Sequence, residues 1–468
     1  MSKITQLSNA HHFIDILDPQ NNELIARLDA ATPHDALDAI ASARRSFNEM
    51  KKLSAFDRIN ILKTVARRVE EQREDFAQLL SKEGIKTINE ARKEVSRCIE
   101  TLTICSEEAR QIKGKTIPFD QSESASNRMG YTLKMPIGVI LAITPFNDPL
   151  NLVAHKIGPA IAAGNSVILM PHPETPLVAI KLVELFCDTV LPENALQVIT
   201  GFGHEIGDTL VEDERIDMVS FTGGREVGDR ILAKAGLKKV ALELGSNCPV
   251  IIFNDAKISD AVDACVSGAF WAAGQNCLHV QRIYVHDTLY DEFKEKFCAG
   301  AKCVKIGDKQ NESTTMGPII NERSLERIDQ LVQQAIKDGA NLLVGGERFC
   351  NFYLPTVLEL VSDDHEINTD EIFGPVTILH RFQDLEEAIE KANAVDLGLH
   401  AGVFTQNLTT AMQVSNRLEV GGVMINDSSD YRIDAMPFGG VKGSGIGREG
   451  VASSINEMTY VKTFCFNL

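Results

Sequence analysis

From residue 137 onward, short apolar runs alternate with stretches of helical periodicity, and this alternation limits the fold more than any other feature of the chain. IGVILAI (137–143), NSVILM (165–170), ALQVIT (195–200) and MVSFTG (218–223) have strand length, and helix-like stretches lie near 149–163, 176–190 and 225–235. Strands apolar on both faces have both faces covered, and strand–helix–strand units close parallel pairs by right-handed crossovers. The expected class is therefore α/β, with a doubly wound, Rossmann-like sheet. A second α/β region runs from about 246 to 445, with Gly-Pro at 317–318 and 374–375 as punctuation. Ahead of both, apolar positions recur near every 3.6 residues from 34 to 113. DALDAIASARRSF, RINILKTVARRVEEQREDFAQLL and INEARKEVSRCIETLTICSEEARQI each predict a helix. The polar stretch IPFDQSESASNRMGYTLK (117–134) predicts a hairpin leaving the main body, and SSINEMTYVKTFCF a closing strand.

With 468 residues, 44% of them apolar, the chain can bury two or three domain cores. Its 65 acids against 47 Lys and Arg give a net charge of −18, which argues against a nucleic-acid partner, since phosphate contacts need a basic face. The ten cysteines, at 98, 105, 187, 248, 265, 277, 298, 303, 350 and 465, form no CxxC pair and no zinc spacing, so reduced thiols and no metal are expected. MSKITQLSNAHHF lacks the apolar stretch of a secretory signal. No apolar run approaches the roughly 20 residues that span a bilayer. A cytoplasmic protein with no membrane partner is expected.

Four stretches carry chemistry. In FTGGREVG, Gly223 and Gly228 stand at a strand-to-helix turn, where bare backbone lets phosphate approach the N–H groups of a helix start; an ordinary turn has the same look. LELGSN places Glu243 at a strand end. Burial there makes a carboxylate a general base, whereas exposure leaves it a surface acid. GQNC puts Cys277 after a glycine turn, where a thiol is accessible as a nucleophile, though nine other cysteines show how readily one is merely structural. In TPFNDP, Asn147 is either an oxyanion donor or a helix cap.

Taken in order, with EIFGPV (371–376) and PFGGVKGSGIGREG (437–450), these stretches closely resemble the aldehyde dehydrogenase superfamily over nearly the whole chain. The resemblance implies Cys277 as nucleophile, Glu243 as general base, Asn147 as oxyanion donor and Lys156 as a lysine supporting the proton path. It implies NAD as cofactor, with NADP open, held along Thr144, Pro145, Phe146, Met170, His172, Gly203, Gly207, Phe221, Thr222, Gly223, Gly224, Val227, Gly228, Leu244, Gly245, Glu371 and Phe373. It also divides the chain into a cofactor-binding domain (1–116 and 137–245), a catalytic domain (246–445) and a small β oligomerisation element (117–136 and 446–468). A homodimer or homotetramer follows.

The chain departs from the family in VILMPHPETP, where Met170 replaces a lysine and Pro173 a ribose-binding glutamate, and in FTGG, where Gly224 replaces a serine. His172 or Arg225 could compensate. Pro171-His172-Pro173 also resembles the CoA-acylating branch, which generally lacks the glutamate present here as Glu243; CoA acylation is the alternative activity, and a non-catalytic protein on this fold a second. For substrate, NDSSDYRIDAMPFGG resembles relatives acting on lactaldehyde, glyceraldehyde phosphate, phosphonoacetaldehyde or sulfoacetaldehyde. The expected substrate is a small aldehyde with an anionic tail, met by Arg432, His155 and His279, each of which also has a structural reading. Arg282 is expected in a structural ion pair and Arg97 as a helix-surface cation.

Overall fold

The computed structural model describes residues 12–468, so most of the opening stretch discussed above lies outside the described residues. The helices Pro33–Met50, Ala55–Glu71 and Ile88–Glu108 each open on a capping box, made by Thr32 with Asp35, Ser54 with Asp57 and Thr87 with Glu90. Each hydroxyl accepts the third helical N–H while the acid returns to the cap N–H, satisfying donors that a helix start otherwise leaves unpaired. The stretch 58–80, expected as one helix, is broken at Gln72 into Ala55–Glu71 and Arg73–Glu83. The break lets both pieces pack against Ile88–Glu108.

Among the described residues, two mainly parallel sheets carry the body. The first runs in the order Gly445–Ile446, Lys239–Glu243, Met218–Thr222, Val139–Ile143, Ser166–Met170, Leu196–Val198. Its neighbours are parallel except for Gly445–Ile446, which lies antiparallel to Leu242–Glu243. One face packs on Asn151–Ala163 and the helices of residues 55–108, the other on Pro33–Met50. The second sheet runs Asn341–Val344, Thr356–Glu359, Val376–Phe382, Val280–His286, Cys248–Ile252, His400–Phe404, Gly422–Ile425, with an antiparallel edge only at Asn341–Val344. Helices again cover both faces. This is the doubly wound architecture that the alternating runs predict.

A three-stranded antiparallel sheet stands apart: Thr459–Asn467, Arg128–Pro136 and Lys115–Ile117. Residues 446–468, expected to join 117–136 as one element, divide between two places. Gly445 and Ile446 pair with Glu243 and Leu242 in the first sheet, and Val451, Ile455 and Met458 enter the first core. Only Thr459–Asn467 leaves for the small sheet. The split has a simple cause, since the short helix Val451–Glu457 is apolar toward Asn151–Ala163 while the following strand alternates and stays exposed. Among the described residues no helix is long and apolar enough to cross a membrane.

Candidate active site

The C-terminal ends of the first sheet's parallel strands gather most of the expected cofactor residues. Thr144, Pro145 and Phe146 follow Val139–Ile143; Met170 and His172 end the next strand; Phe221 and Thr222 close another; Leu244 and Gly245 follow Glu243. Ligands of open α/β sheets bind at such ends. Gly224 caps Arg225–Lys234 with no side-chain partner, so the helix presents bare N–H groups suited to a pyrophosphate. Gly223 N–H donates to the Glu243 carbonyl at 3.0 Å, tying that turn to the base strand. A Cβ on Gly228 would run into Leu244. Gly203 and Gly207 face open space, and Val227 is exposed.

Glu371 and Phe373 reach the same place from the second sheet. Glu371 Oε1 accepts the Ser246 N–H at 2.8 Å, and a Cβ on Gly245 would collide with its carboxylate. Burial raises Glu371 to about 7. Phe373 packs edge-on against Phe146 (centroids 5.7 Å apart), and Phe146 against His172 (5.3 Å). Thr144 Oγ1 is buried with no hydrogen-bond partner among the described residues. A glycine cradle, an aromatic wall and a buried acid fit a dinucleotide.

Cys277 sits on a turn whose backbone is held by force. Ala272, Ala273 and Gly274 take φ of 50°, 53° and 66° in succession, a left-handed run that non-glycine residues adopt only when their surroundings dictate it. Those surroundings are visible. Glu90 Oε1 accepts the Ala272 N–H at 2.8 Å, Gln275 Nε2 donates to Ala272 O and Pro318 O, and Gln275 Oε1 accepts the Ile320 N–H at 3.0 Å. Asn276 ties Trp271 O to the Leu278 N–H. The half-buried Cys277 emerges from this turn beside Cys248, Leu278, Leu399 and Phe438.

Arg432 and Glu243 act on it electrostatically, and both belong to a buried charged cluster with Lys156 and Glu449. Glu243 is 4% exposed, with Oε2 lacking a partner. Lys156 is 1% exposed, its Nζ 2.9 Å from Glu449 Oε1 and 3.2 Å from Ser220 Oγ. Thr222 Oγ1 donates to the same Glu449 oxygen at 3.3 Å. The Arg432 guanidinium lies over the Phe438 ring at 3.7 Å and 3.5 Å from Glu449 Oε2, its side chain 7% exposed, while Nε and one terminal nitrogen make no hydrogen bond. Burial and the Glu449 charge push Glu243 well above the usual carboxylate range, against Arg432 and Lys156. Burial works to raise Glu449 too, but Lys156 and Arg432 hold it at about 2. Burial pushes the Cys277 thiol up, with Arg432 the foremost charge opposing it. Glu449 went unnoticed in the sequence although it stands in GSGIGREG; nothing local marks it, because its partner Lys156 is 293 residues away.

Asn147 is buried and does not cap the next helix, which opens at Asn151 with no side-chain cap. Glu94 Oε1 instead takes the Leu150 and Asn151 N–H groups at 2.8 and 3.0 Å. Glu94 is paired with the buried Lys86, which also contacts Asp148, the neighbour of Asn147. Arg97 is no free surface cation: it bonds Asp434 at 2.8 Å and Asp148 at 3.2 Å, joining the Asn147 loop to the Arg432 loop. His155 Nε2 meets Asp434 Oδ1 at 2.8 Å and its Nδ1 is unpartnered; burial lowers its pKa, so it brings a hydrogen-bonding nitrogen and no charge. Burial likewise holds His279 at about 3, and it makes none of the contacts joining the others. Arg282 is buried as expected but pairs with no carboxylate; it donates to Asn247, Tyr284 and the Lys391 and Ala392 carbonyls. Among the described residues no cluster of His, Cys, Asp or Glu is arranged to hold a metal.

The model of the aldehyde dehydrogenase family matches residues 6–464. The chain is 46% identical to the putative aldehyde-dehydrogenase-like protein y4uC of Sinorhizobium fredii, over 97% of this chain and 88% of that protein. It is 44% identical to aspartate-semialdehyde dehydrogenase 1 of Pseudomonas canavaninivorans (97% of each). To 3-sulfolactaldehyde dehydrogenase of Priestia megaterium it is 42% identical (97% and 95%). Among solved structures, aldehyde dehydrogenase 21 of Physcomitrella patens, in complex with its reaction product succinate, superposes with a TM-score of 0.96 at 38% identity, covering 98% of this chain and 96% of that one. The glyceraldehyde-3-phosphate dehydrogenase GapN of Methanocaldococcus jannaschii, complexed with NADP, gives 0.94 at 39% (97% and 99%). With a family model spanning nearly every residue and relatives above 40% identity along its length, this chain belongs to the aldehyde dehydrogenase family.

Proposed function

We propose that the chain oxidises a small aldehyde with an anionic tail to its carboxylic acid, using NAD in preference to NADP. The observation that carries the substrate class is Arg432, a buried guanidinium that acts electrostatically on Cys277 and Glu243; among the described residues its Nε has no acceptor, and a terminal nitrogen without a hydrogen bond has only Glu449 Oε2, 3.5 Å away. A buried donor without a partner is costly, so it marks where an anionic oxygen binds. Names of relatives point the same way, since aspartate semialdehyde and sulfolactaldehyde both carry anionic tails.

Cys277 Sγ attacks the aldehyde carbon, and the carbonyl pair moves to oxygen. The Asn147 amide and the Cys277 backbone N–H hold that alkoxide; removing one such donor typically costs about 3–4 kcal/mol. Glu371 would hold the ribose and the Gly223–Gly224 turn the phosphates of a dinucleotide, which when bound would supply the hydride acceptor. The acyl group then sits on Cys277 Sγ as a thioester. Glu243 releases its proton to solvent along a path lined by Lys156, takes one from water, and the water oxygen attacks the acyl carbon while Cys277 Sγ leaves.

At the adenosine end, burial holds His172 at about 4 and so neutral, and Arg225 is engaged by Asp396 at 2.8 Å. Neither offers free charge to a 2′-phosphate, which supports NAD. The small sheet leaves Met129, Leu133, Tyr460, Val461 and Phe466 exposed, which supports a homodimer or homotetramer joined through it.

The test is an aldehyde panel run with NAD and NADP on the parent enzyme and Arg432→Gln. Losing one charged contact should cut kcat/KM for sulfonate- or carboxylate-tailed aldehydes by about ten- to a hundredfold more than for propanal, whose loss reflects only the charge that Arg432 sets against the Cys277 thiol. Equal losses on both kinds, or a parent preference for long alkyl or aromatic aldehydes, would remove the anionic tail from the assignment.

A further inference from the structure

A second thiol lies behind the nucleophile. Cys248 opens the strand Cys248–Ile252 and is 1% exposed. Its Sγ is 3.6 Å from the Cys277 carbonyl oxygen and 3.2 Å from Ser246 Oγ. The two cysteines share one small apolar cluster with Leu278, Leu399 and Phe438. Cys248 pairs in register with Val280, three residues past Cys277, and the register shifts immediately after it. Cys277 lies on the turn leading into that partner strand, and the 3.6 Å approach of Cys248 Sγ to its carbonyl oxygen brings the two residues within the span a disulfide bridges.

Cys248 takes no part in aldehyde oxidation as derived above. We propose that it is a resolving thiol, which converts peroxide damage at Cys277 into a reversible Cys248–Cys277 disulfide. Peroxide oxidises the outer sulfur first, because Cys277 is reachable while Cys248 is sealed in the cluster. In that step a Cys277 S–O bond forms, the peroxide O–O bond breaks, and water leaves with the thiol proton. Cys248 Sγ then attacks the Cys277 sulfur: an S–S bond forms, the S–O bond breaks, and hydroxyl departs with the Cys248 proton as a second water. Sulfur has lost two electrons and peroxide has gained them. A dithiol returns them and restores both thiols. Without a neighbour of this kind, sulfenic acid proceeds to sulfinic and sulfonic acids that a dithiol does not reverse.

The experiment treats full-length enzyme with hydrogen peroxide, blocks remaining thiols with iodoacetamide and digests with trypsin without reduction. The expected product joins peptide 240–257, which holds Cys248, to peptide 258–282, which holds Cys277. Cys265 lies in the second peptide as well, so fragmentation must place the bridge at Cys277. Dithiothreitol should restore activity to the parent. Cys248→Ser and Cys248→Ala should keep basal activity yet regain at least about tenfold less of it after the same treatment, with Cys277 found as sulfinic or sulfonic acid. A parent enzyme that gives no linked peptide and overoxidises Cys277 as fast as the variants overturns the proposal, as does a bridge to Cys265. The mass readout needs no turnover and no variant, so it decides the matter even if Cys277 were not the aldehyde nucleophile.

Discussion

Glu243 and Glu449 share one buried cluster and divide its charge unequally. Lys156 and Arg432 are spent mainly on Glu449, so burial and the Glu449 charge make Glu243 hold its proton more tightly than an ordinary carboxyl does. With Glu243→Gln the thioester should form and then persist. A rapid-mixing experiment should show about one equivalent of NADH per active site as a burst, then little further release. Steady-state turnover near that of the parent would remove Glu243 from the base role. Glu371 makes a separate prediction. Burial raises it to about 7, and a ribose hydroxyl is best accepted by the carboxylate form. Cofactor affinity should therefore tighten as pH rises through about 7, by up to about tenfold between about pH 6 and pH 8, and lose that dependence in Glu371→Gln. Fluorescence titration of the dinucleotide across that range measures it.

The turn from Trp271 to Cys277 is the element that presents the proposed nucleophile. Each left-handed alanine stores about 1–3 kcal/mol of strain, and the Glu90 and Gln275 bonds hold it in place. Gly274 has no freedom to accept a side chain, because a Cβ there would strike the Gly374 backbone carbonyl. Gly274→Ala should cost about 2–4 kcal/mol in chemical denaturation and slow iodoacetamide labelling of Cys277; unchanged stability would mean that the turn is free to move. The sequence made the sheet strands and long helices legible because continuous apolar runs and a period of 3.6 are written into consecutive residues, and GQNC marked the turn. It did not mark the left-handed run, since alanine carries no signal for that conformation. Nor did it mark the break at Gln72, which comes from packing two helices on one. The same limit applies to charges: Arg97 has the look of a surface cation and His155 of a cation for substrate, until Asp434, 337 and 279 residues away, arrives to hold them.

Over the whole molecule, the small sheet is the feature most exposed to test. The pairing of Thr459–Asn467 with Arg128–Pro136 runs the length of both strands, and the apolar side chains it displays have no cover within one chain. Truncation after Met458 preserves the first core, where Met458 is buried. It should shift the protein to monomer in sedimentation velocity, or to aggregate through the bared strand; unaltered assembly mass would exclude the sheet as the contact. The first sheet, meanwhile, is finished only by residues 445–446, and Lys156 meets its acid only at residue 449. Protein synthesis runs in one direction, so the ribosome makes Cys277 and Glu243 well before it makes the residues that fold over them. A nascent chain therefore carries Cys277 before the strand and the acid that complete the proposed centre, and a chain ending before residue 445 should show no turnover in an aldehyde assay.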